Sequence, residues 1–559
     1  MLVFAPASSA AAPQQWVQKA GEIAAPWPGL QEPDGRFRDY VIARDPEGVR
    51  DDYGDPMLGY ALLLTSARTG DATLADSGLR ALEFSLDRAA RSPSTQVFHQ
   101  MALVSAYNLA RARFAGHPVF TRARERWEDV LRRIEVYRIG KRAVTNKSIV
   151  EAILLIELIR TGLGSDQPGS ALADRAGTLA LVKRFLSRDL PRAAKPFERG
   201  GRTVLGDMPL LPPSYHGLSV GMLARTVELL GDEAPSAARA LLTKAARASV
   251  ATAAPDGQVA YHGRSQAQAW AMTLTGYGAA VAGQKGLASR TIGRVLDYPT
   301  GPEGFLVTPS LAQSIDGAIP GIDEYVAAAS YVGLTLSSLE WAIAAGDRVR
   351  PGPLPFGVTV IGNGTGSWAT SRGDDVWFAV KRARTSVRDL RYDVGLVGLQ
   401  VRDGSAWRDV APLRPRTLKG DQSAGPVLTS SGATAIPEFT ELERGIGNRV
   451  LGRGGFRTRS GRWLRRGVTF TFHPVACGVR IEWPARKGER YAYSGFFREP
   501  PAKASRSVAD SSQAIRLDGP FSLSAAGGYS SGSDAALTRA VVRFKRARSG
   551  TASIEICRP

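Results

Sequence analysis

The chain contains 559 residues, 43% of them hydrophobic, and carries a formal net charge of +20 at pH 7. This length exceeds what one hydrophobic core usually covers, and the apolar content is ample for packed cores, so two or more globular domains are expected. No stretch approaches the roughly 18 consecutive apolar residues of a transmembrane helix, so no membrane span is expected.

The positive charge is concentrated in the last third of the chain. Residues 351–559 contain 33 Lys and Arg residues against 17 Asp and Glu residues, whereas residues 1–350 contain 39 against 35. A basic excess of this kind attracts polyanions. Nucleic acid, an acidic polysaccharide and an anionic cell-surface polymer are all candidate partners at this point, although the sequence contains no motif of known type for reading nucleic acid grooves.

Cysteine is scarce, with only Cys477 and Cys557 present, and no Cys/His spacing of a structural zinc site exists. The two cysteines are compatible with one disulfide in an exported protein or with two free thiols. Residues 1–16 resemble the end of a signal peptide but lack its basic segment. We therefore expect a secreted or cell-envelope protein, and interpret residues 1–30 as an export-signal remnant or a flexible lead-in.

Helical patterns dominate residues 31–345, where apolar residues recur at helical spacing. The predicted helices cover residues 56–68, 74–90, 95–114, 120–136, 146–161, 171–186, 217–230, 235–251, 266–281 and 324–345. They follow one another as hairpins, with no strand signals between them and no repeat of fixed period. This pattern predicts an (α/α) toroid.

A linker with three prolines, residues 346–357, ends the helical part. Beyond it the hydrophobic period becomes two, in short β-branched and aromatic runs separated by Gly, Asp, Ser and Pro. Such runs predict an antiparallel β-sandwich over residues 358–559. The predicted fold is therefore an N-terminal (α/α) toroid of helix hairpins followed by a basic antiparallel β-sandwich.

Polar residues that could carry chemistry concentrate in residues 255–270, PDGQVAYHGRSQAQAW. A Pro-Asp-Gly turn precedes Tyr261, His262 and Arg264, a set that could neutralise an anion and move a proton. Three polar or aromatic residues follow them: Gln266, Gln268 and Trp270. The same residues could instead close a helix hairpin, because no spacing here is diagnostic by itself.

Two other positions combine polar residues with a helix start. Tyr215 and His216 lie where a long loop meets a helix, and loops over a rigid scaffold are where sites concentrate. Asn146 and Lys147 open a strongly apolar helix, where they would add donors for a carboxylate to the favourable helix N-terminus. A plain N-cap is the alternative role for Asn146.

A helical toroid followed by a β-sandwich, with an Asn at a helix start, then a His, then a Tyr/His/Arg cluster after an Asp-Gly turn, resembles the polysaccharide lyases. These include the hyaluronate, chondroitin and xanthan lyases and the heparinase II/III-like and alginate lyases. The resemblance implies β-elimination on a polysaccharide that contains uronic acid. Within it, Asn146 would neutralise the uronate carboxylate, and His216 would act as neutraliser or base.

In those families a tyrosine, often with a histidine, removes the proton beside the carboxylate and protonates the leaving oxygen. The resemblance assigns this role to Tyr261, assisted by His262, with Tyr215 and Tyr277 as competing choices. Arg264 would contact the carboxylate or a subsite, and a nearby guanidinium would favour the phenolate of Tyr261. Four residues are expected to contact substrate: Lys147, Gln266, Gln268 and Trp270.

Two other classes of function fit parts of the sequence. An inverting glycoside hydrolase on an α/α toroid needs two carboxyl groups, which Asp51, Asp52 and Asp55 or Asp323 and Glu324 could supply. Each of these clusters also precedes a helix, where capping is an ordinary role. A non-catalytic envelope protein that binds polyanions through its β domain would have no use for the Tyr-His pairs.

No P-loop, dinucleotide fingerprint or metal-ligand constellation is present, so no organic cofactor and no catalytic metal are expected. A structural calcium ion is compatible with the sequence. A monomer is the favoured oligomeric state.

Overall fold

The computed structural model describes residues 14–39, 53–94, 96–134, 139, 146–165, 170–206, 212–263, 265–301, 306, 328–346, 354–364, 367–382, 395–410, 425–430, 432–530, 536–546 and 548–559, with side chains except at 525–530 and 536–537. The helices are α1 (Gln14–Ala24), α2 (Gly54–Thr69), α3 (Ala72–Arg91), α4 (Val97–Arg113), α5 (Pro118–Arg132), α6 (Asn146–Arg160), α7 (Arg175–Arg184), α8 (Leu190–Ala194), α9 (Pro213–Leu230), α10 (Ser236–Thr252), α11 (Ala269–Val281), α12 (Lys285–Leu296) and α13 (Ala328–Ala344).

The strands are β1 (Glu198–Arg199), β2 (Arg202–Thr203), β3 (Gly357–Ile361), β4 (Trp368–Arg372), β5 (Val376–Lys381), β6 (Gly395–Asp403), β7 (Ala406–Asp409), β8 (Val427–Ser430), β9 (Ala433–Arg444), β10 (Val450–Arg457), β11 (Trp463–Val475), β12 (Gly478–Ala485), β13 (Arg490–Phe497), β14 (Ala502–Lys503), β15 (Ser507–Ala509), β16 (Ala514–Leu517), β17 (Phe521–Ser530), β18 (Ala536–Lys545) and β19 (Gly550–Cys557). The predicted helical half followed by a β half is confirmed.

The helical domain is a closed ring of inner helices surrounded by outer helices. The inner helices α2, α4, α6, α9, α11 and α13 each pack on the next, and α13 packs back on α2. Inner helices are buried all round: every residue from Ala328 to Ile343 in α13 is buried, as expected for a helix without a polar face. Outer helices such as α5 bury one stripe only. This arrangement is the predicted (α/α) toroid.

Small residues let inner helices approach closely. Gly217 and Gly221 of α9 face α11, where an added Cβ at Gly221 would lie 2.7 Å from the Leu274 side chain. In return, Gly278 of α11 lies against the Val220 backbone of α9. Glycine at these positions removes the side chain that would otherwise separate the two helices, which positions the first turns of α9 and α11 side by side.

All inner helices run in the same direction, so they begin at one end of the ring, called here the N-terminal end. The ring contacts show this: Tyr215 meets Trp270 near the starts of α9 and α11, while Glu228 meets Tyr277 near their ends. On α13, Tyr331 lies by Trp270 at the start. The end where these helices finish is the C-terminal end.

The β domain is a two-layer antiparallel sandwich. Strands β3 to β7 form a meander in sequence order, and the larger sheet has the order β14-β15-β16-β19-β12-β11-β10-β9-β8-β13-β18-β17. Phe378 and Leu399 of the small sheet share one core with Phe470 and Ile481 of the large sheet. Cys477 and Cys557 are joined by a disulfide between β19 and the turn before β12, which resolves the alternative left open by the sequence.

Besides the five-residue α8, two helices were not predicted. Residues 14–24, assigned to a lead-in by the sequence analysis, form α1, which buries Trp16 and Ile23 against α13. Lys19 of α1 donates hydrogen bonds to the Tyr298 carbonyl (2.8 Å) and to the Thr300 hydroxyl (3.0 Å). The second is α12, whose buried residues recur at helical spacing but among many Arg, Gly and Ser residues. No helix of the described residues is long and apolar enough to cross a membrane.

Candidate active site

Three aromatic rings meet at the N-terminal end of the toroid. Tyr215 and Trp270 lie edge to face with ring centroids 5.8 Å apart, and the Trp270 and Tyr331 centroids are also 5.8 Å apart. Each residue comes from the first turn of a different inner helix, namely α9, α11 and α13. The structure thus brings together two of the predicted site residues, Tyr215 and Trp270, and adds Tyr331.

The segment leading into α11 adopts a backbone that its residues rarely take. Ser265 and Ala267 have φ values of 58° and 54°, in the left-handed region that costs energy for residues with a Cβ. Ala267 N–H donates to the Ala260 carbonyl at 2.8 Å, and the Ser265 and Tyr331 hydroxyl oxygens are 3.5 Å apart. Non-glycine residues in this region persist only where their surroundings hold them, and they cluster at functional sites.

Buried polar atoms without partners collect around this segment. Both ring nitrogens of His262, Oε1 of Gln266 and Nε1 of Trp270 are buried and have no hydrogen-bond partner among the described residues. Folded proteins pair most buried polar atoms, and each unpaired one costs about 1–3 kcal/mol. A concentration of such atoms marks a place where a ligand could supply the missing partners.

Asn146 begins α6, which packs between α4 and α9. Near the other end of α6, the Glu157 carboxylate lies 3.7 Å from the guanidinium of Arg225 on α9. Going back from that contact, α6 rises about 16 Å to Asn146 and α9 rises about 15 Å to Tyr215. Asn146 and Tyr215 therefore lie at the same height on adjacent inner helices, at the N-terminal end. Asn146 is buried, whereas Lys147 is exposed.

His216 is held by its own neighbours. Its Nδ1 lies 3.0 Å from the backbone nitrogen and 2.9 Å from the backbone oxygen of Leu205, and its Nε2 lies 3.1 Å from the Ser249 hydroxyl. Burial lowers the pKa of His216 to about 4, and the hydrogen bond to the Leu205 backbone offsets only part of this effect. The imidazole is therefore neutral at pH 7, and both of its nitrogens are already used.

Tyr261 lies in the interface with the β domain rather than beside Tyr215. Its phenol oxygen accepts a hydrogen bond from Trp368 Nε1 at 3.1 Å, and its ring lies edge-on to Trp377 with centroids 5.0 Å apart. Burial raises the pKa of Tyr261 well above its usual range, and this outweighs the hydrogen bond from Trp368 and the charge of Arg372. Burial thus disfavours the phenolate expected at Tyr261, and Arg264, whose charge that expectation invoked, lies outside the described residues.

The remaining predicted residues are placed as follows. Gln268 is the buried residue immediately before α11. Tyr277 lies at the C-terminal end, where its hydroxyl donates to Glu228 at 2.5 Å, so it is far from Tyr215. Arg264 lies outside the described residues.

The carboxylates considered for a hydrolase do not form a described pair. Asp55 is buried and accepts a hydrogen bond from the Phe37 N–H at 2.8 Å, so one of its oxygens already serves the backbone. Asp51, Asp52, Asp323 and Glu324 lie outside the described residues.

No protein-family model matches the chain, and no curated protein matches it in sequence. Solved structures do match it over 100% of its length. Chondroitin AC lyase from Streptomyces coelicolor A3, in complex with chondroitin sulphate, superposes with a TM-score of 0.53 at 12% identity over 80% of that chain. A mutant of heparan sulfate lyase HepC from Pedobacter heparinus superposes with a TM-score of 0.51 at 12% identity over 85% of that chain. The chain has the fold of these polysaccharide lyases.

Three residues at or beside the N-terminal end were not predicted from the sequence to belong to a site. Tyr331 lies in the first turn of the last apolar helix. That position near a helix start is the one sequence feature that could have marked it as a site residue. Trp368 and Lys381 pair across β4 and β5. Nothing in the run DVWFAVKRA distinguishes a buried lysine from one at a solvated strand end, so Lys381 carried no sequence signal.

Proposed function

We propose that this protein is a polysaccharide lyase that cleaves an anionic, uronic-acid-containing polysaccharide by β-elimination. The observation that carries the proposal is the position of Tyr215, at the first turn of α9, edge-on to Trp270 and level with Asn146 on the neighbouring helix. The shared fold with two lyases of acidic polysaccharides supports the same conclusion.

The N-terminal end suits a substrate with negative charge. Each inner helix begins there, and a helix N-terminus carries about half a positive charge from its unpaired backbone N–H groups. Parallel inner helices add these fields, and the net positive charge of the chain assists the approach of a polyanion. This electrostatic bias acts on any acidic chain, so selectivity must come from individual side chains.

Removal of the proton next to a uronate carboxylate builds a second negative charge on the sugar. Donors aimed at the carboxylate stabilise that charge as it develops, which is where an enzyme lowers the barrier most. In the proposal the Asn146 side chain, at the start of α6, supplies this stabilisation. Arg264 keeps its predicted role as a carboxylate or subsite contact.

Tyr215 is the proposed base and acid. As phenolate it takes the proton from the carbon beside the carboxylate, and as phenol it gives a proton to the departing glycosidic oxygen, so one residue completes both transfers. Tyr261, the first choice from the sequence, has a hydroxyl engaged by Trp368 and a raised pKa, so it is given the role of joining the two domains.

His216 is proposed to position Tyr215 rather than to touch substrate. Its ring ties the first turn of α9 to the Leu205 backbone and to Ser249 of α10. His262, Gln266, Gln268 and Trp270 are proposed as substrate contacts. The Cys477–Cys557 disulfide favours an oxidising compartment, and we propose that the protein is exported.

The test is to incubate the protein with a panel of acidic polysaccharides and to follow the ultraviolet absorbance of unsaturated uronides together with new reducing ends. A lyase yields both signals in equal amounts. Reducing ends without the absorbance would identify a hydrolase instead, and neither signal across hyaluronan, chondroitin, heparan, alginate and xanthan would overturn the proposal.

A further inference from the structure

The His262 imidazole is a buried polar group that nothing in the protein satisfies. It is 1% exposed, and neither ring nitrogen has a hydrogen-bond partner within the described parts of the chain. A neutral imidazole has one donor and one acceptor, and leaving both unused in the interior costs free energy that native structures avoid. A group from outside the protein that accepts a hydrogen bond would remove the larger part of this cost.

Lys381, the last residue of β5, brings a buried positive charge to the same place. It is fully buried, and its ammonium lies 5.0 Å from the centre of the Trp368 ring, across the ladder from it. Desolvation lowers the pKa of Lys381 to about 7. Burial lowers the pKa of His262, and the Lys381 charge lowers it further, so the two groups are close enough to interact electrostatically.

Trp368 connects these two residues to the candidate active site. The His262 ring lies edge-on to the Trp368 indole with centroids 5.6 Å apart, and Trp368 Nε1 donates to Tyr261. His262 lies in the loop that leads to Trp270 and the N-terminal end, whereas Lys381 belongs to the β domain. An ammonium and an imidazole N–H on one indole form a set of donors with a positive charge, which matches an anionic oxygen group.

We propose that His262 and Lys381 form a subsite for one anionic oxygen group, a carboxylate or a sulfate of the polysaccharide, at the interface between the toroid and the β domain. The proposal rests on the proposed function for the source of that group. It makes the β domain a contributor to substrate recognition, since without Lys381 the toroid loop alone carries no buried cation at this position in the described chain.

The first test uses inorganic sulfate as the probe and thermal unfolding as the readout, at constant ionic strength set with chloride. Sulfate should raise the Tm of the full-length protein, because a ligand bound only by the folded state stabilises it. In Lys381→Met and in His262→Leu this rise should be lost. A rise of the same size in wild type and Lys381→Met would overturn the proposal.

Lys503→Met is the matched control. Lys503 is an exposed lysine of the β domain whose ammonium also lies 5.0 Å from an aromatic ring, that of Phe521. This variant should keep the full sulfate effect. The Tm of each variant without sulfate is the reference from which its sulfate effect is measured.

The second test identifies the source of the anionic group. Equilibrium binding is measured in a Tyr215→Phe background with a sulfated uronate oligosaccharide and with the same oligosaccharide after desulfation. Lys381→Met should weaken at least one of them by about ten-fold to a hundred-fold, as expected for a lost hydrogen bond to a charged group. Weakening of both assigns the carboxylate, and weakening of the sulfated chain alone assigns the sulfate. No change for either overturns the proposal, because the site would then serve only a free inorganic anion.

These measurements separate the subsite from the reaction. If no polymer gives unsaturated uronide but oligosaccharide binding depends on Lys381, the proposed lyase activity fails and the subsite stands. If elimination occurs and neither sulfate nor oligosaccharide responds to Lys381→Met, the subsite fails and the lyase stands.

Discussion

The two ends of the inner helix ring contain similar residue types but differ in how many of their polar side chains have hydrogen-bond partners. At the C-terminal end, Arg68 donates to Glu340 through two nitrogens at 2.7 and 2.8 Å, and Glu340 also accepts from the Thr65 hydroxyl at 2.8 Å. Tyr277 donates to Glu228, and the Arg225 guanidinium lies 5.1 Å from the centre of the Trp341 ring. At this end these charged and hydroxyl groups are partners of one another in hydrogen bonds and ion pairs.

The N-terminal end has several unpaired groups, whereas the C-terminal end is mostly paired, with Asn108 Oδ1 as an exception among the described residues. His262, Gln266 and Trp270 carry buried polar atoms without partners, beside the unusual backbone of Ser265 and Ala267. A buried polar network that is fully paired rigidifies a fold, whereas one that is open can be completed by a ligand. The difference separates a structural cluster from a candidate site, although both ends contain tyrosine, tryptophan and charged residues.

Replacing the hydroxyl of Tyr215 should have the largest effect. Tyr215→Phe is expected to lower turnover by about 1,000-fold or more, because a residue that transfers protons in both steps contributes about 10²–10⁴-fold per transfer. The measurement is the rate of unsaturated uronide formation at saturating substrate.

Tyr277→Phe is the control from the opposite end. It removes the hydrogen bond to Glu228, so it should lower the free energy of unfolding by about 1–3 kcal/mol while leaving turnover per folded molecule unchanged. If Tyr277→Phe abolished turnover and Tyr215→Phe did not, the assignment of the two ends would be reversed.

Breaking the paired network should cost stability and not activity. Arg225→Met removes one of the two guanidinium groups that lie 3.7 Å from Glu157, which is 3% exposed. Arg160 and the Asn108 amide still contact this carboxylate, so the expected loss is that of one charged partner, about 1–3 kcal/mol. Urea unfolding followed by circular dichroism measures this loss. A loss of less than 1 kcal/mol would show that the C-terminal end is not the closed network described above.

At the N-terminal end, both ring nitrogens of His216 have partners. Its contribution to folding stability should therefore be lost at low pH. Its pKa is lowered from the ordinary 6.5 to about 4 in the folded state, so the unfolded chain binds the proton more readily between these values. The stability this group contributes is present above pH 6.5 and is lost as pH falls through 4, with a total of about 3 kcal/mol. In His216→Gln the stability difference between pH 7 and pH 4 should shrink by about that amount.

Asn146→Ala should lower turnover by about 100-fold, because one donor to the developing charge is lost. Lys147→Ala is the matched comparison: Lys147 is adjacent, exposed and predicted to contact substrate, so its removal should raise KM while changing turnover at saturating substrate by less than about three-fold. Equal effects of the two substitutions would remove the carboxylate role from Asn146.

Much of the fold could be predicted from the sequence because the spacing of apolar residues along the chain shows directly which faces of helices and strands are buried. The all-round apolar runs of α11 and α13 predicted the toroid, and alternation such as that in β11 predicted the sandwich. α1 was missed because the Ala-rich residues before it resemble the end of a processing signal. α8 was missed because it has only five residues, and α12 because Gly and Arg interrupt its apolar stripe.

The site was predictable only as a set of residue types. The sequence singled out Tyr215, Trp270 and His262, but it could not tell that Tyr261 faces Trp368 across a domain interface, because that contact joins residues 107 positions apart. Nor could it show that both nitrogens of His216 are used. Whether a polar atom is paired depends on tertiary neighbours, and pairing is what distinguishes the two ends.

The most direct test is to locate a uronate oligosaccharide bound to the Tyr215→Phe protein by crystallography. We expect a sugar at the N-terminal end, with its carboxylate within hydrogen-bonding distance of the Asn146 side chain and its ring beside residue 215 and Trp270. A sugar bound only at the C-terminal end, or only on the outer face of the β domain, would contradict it.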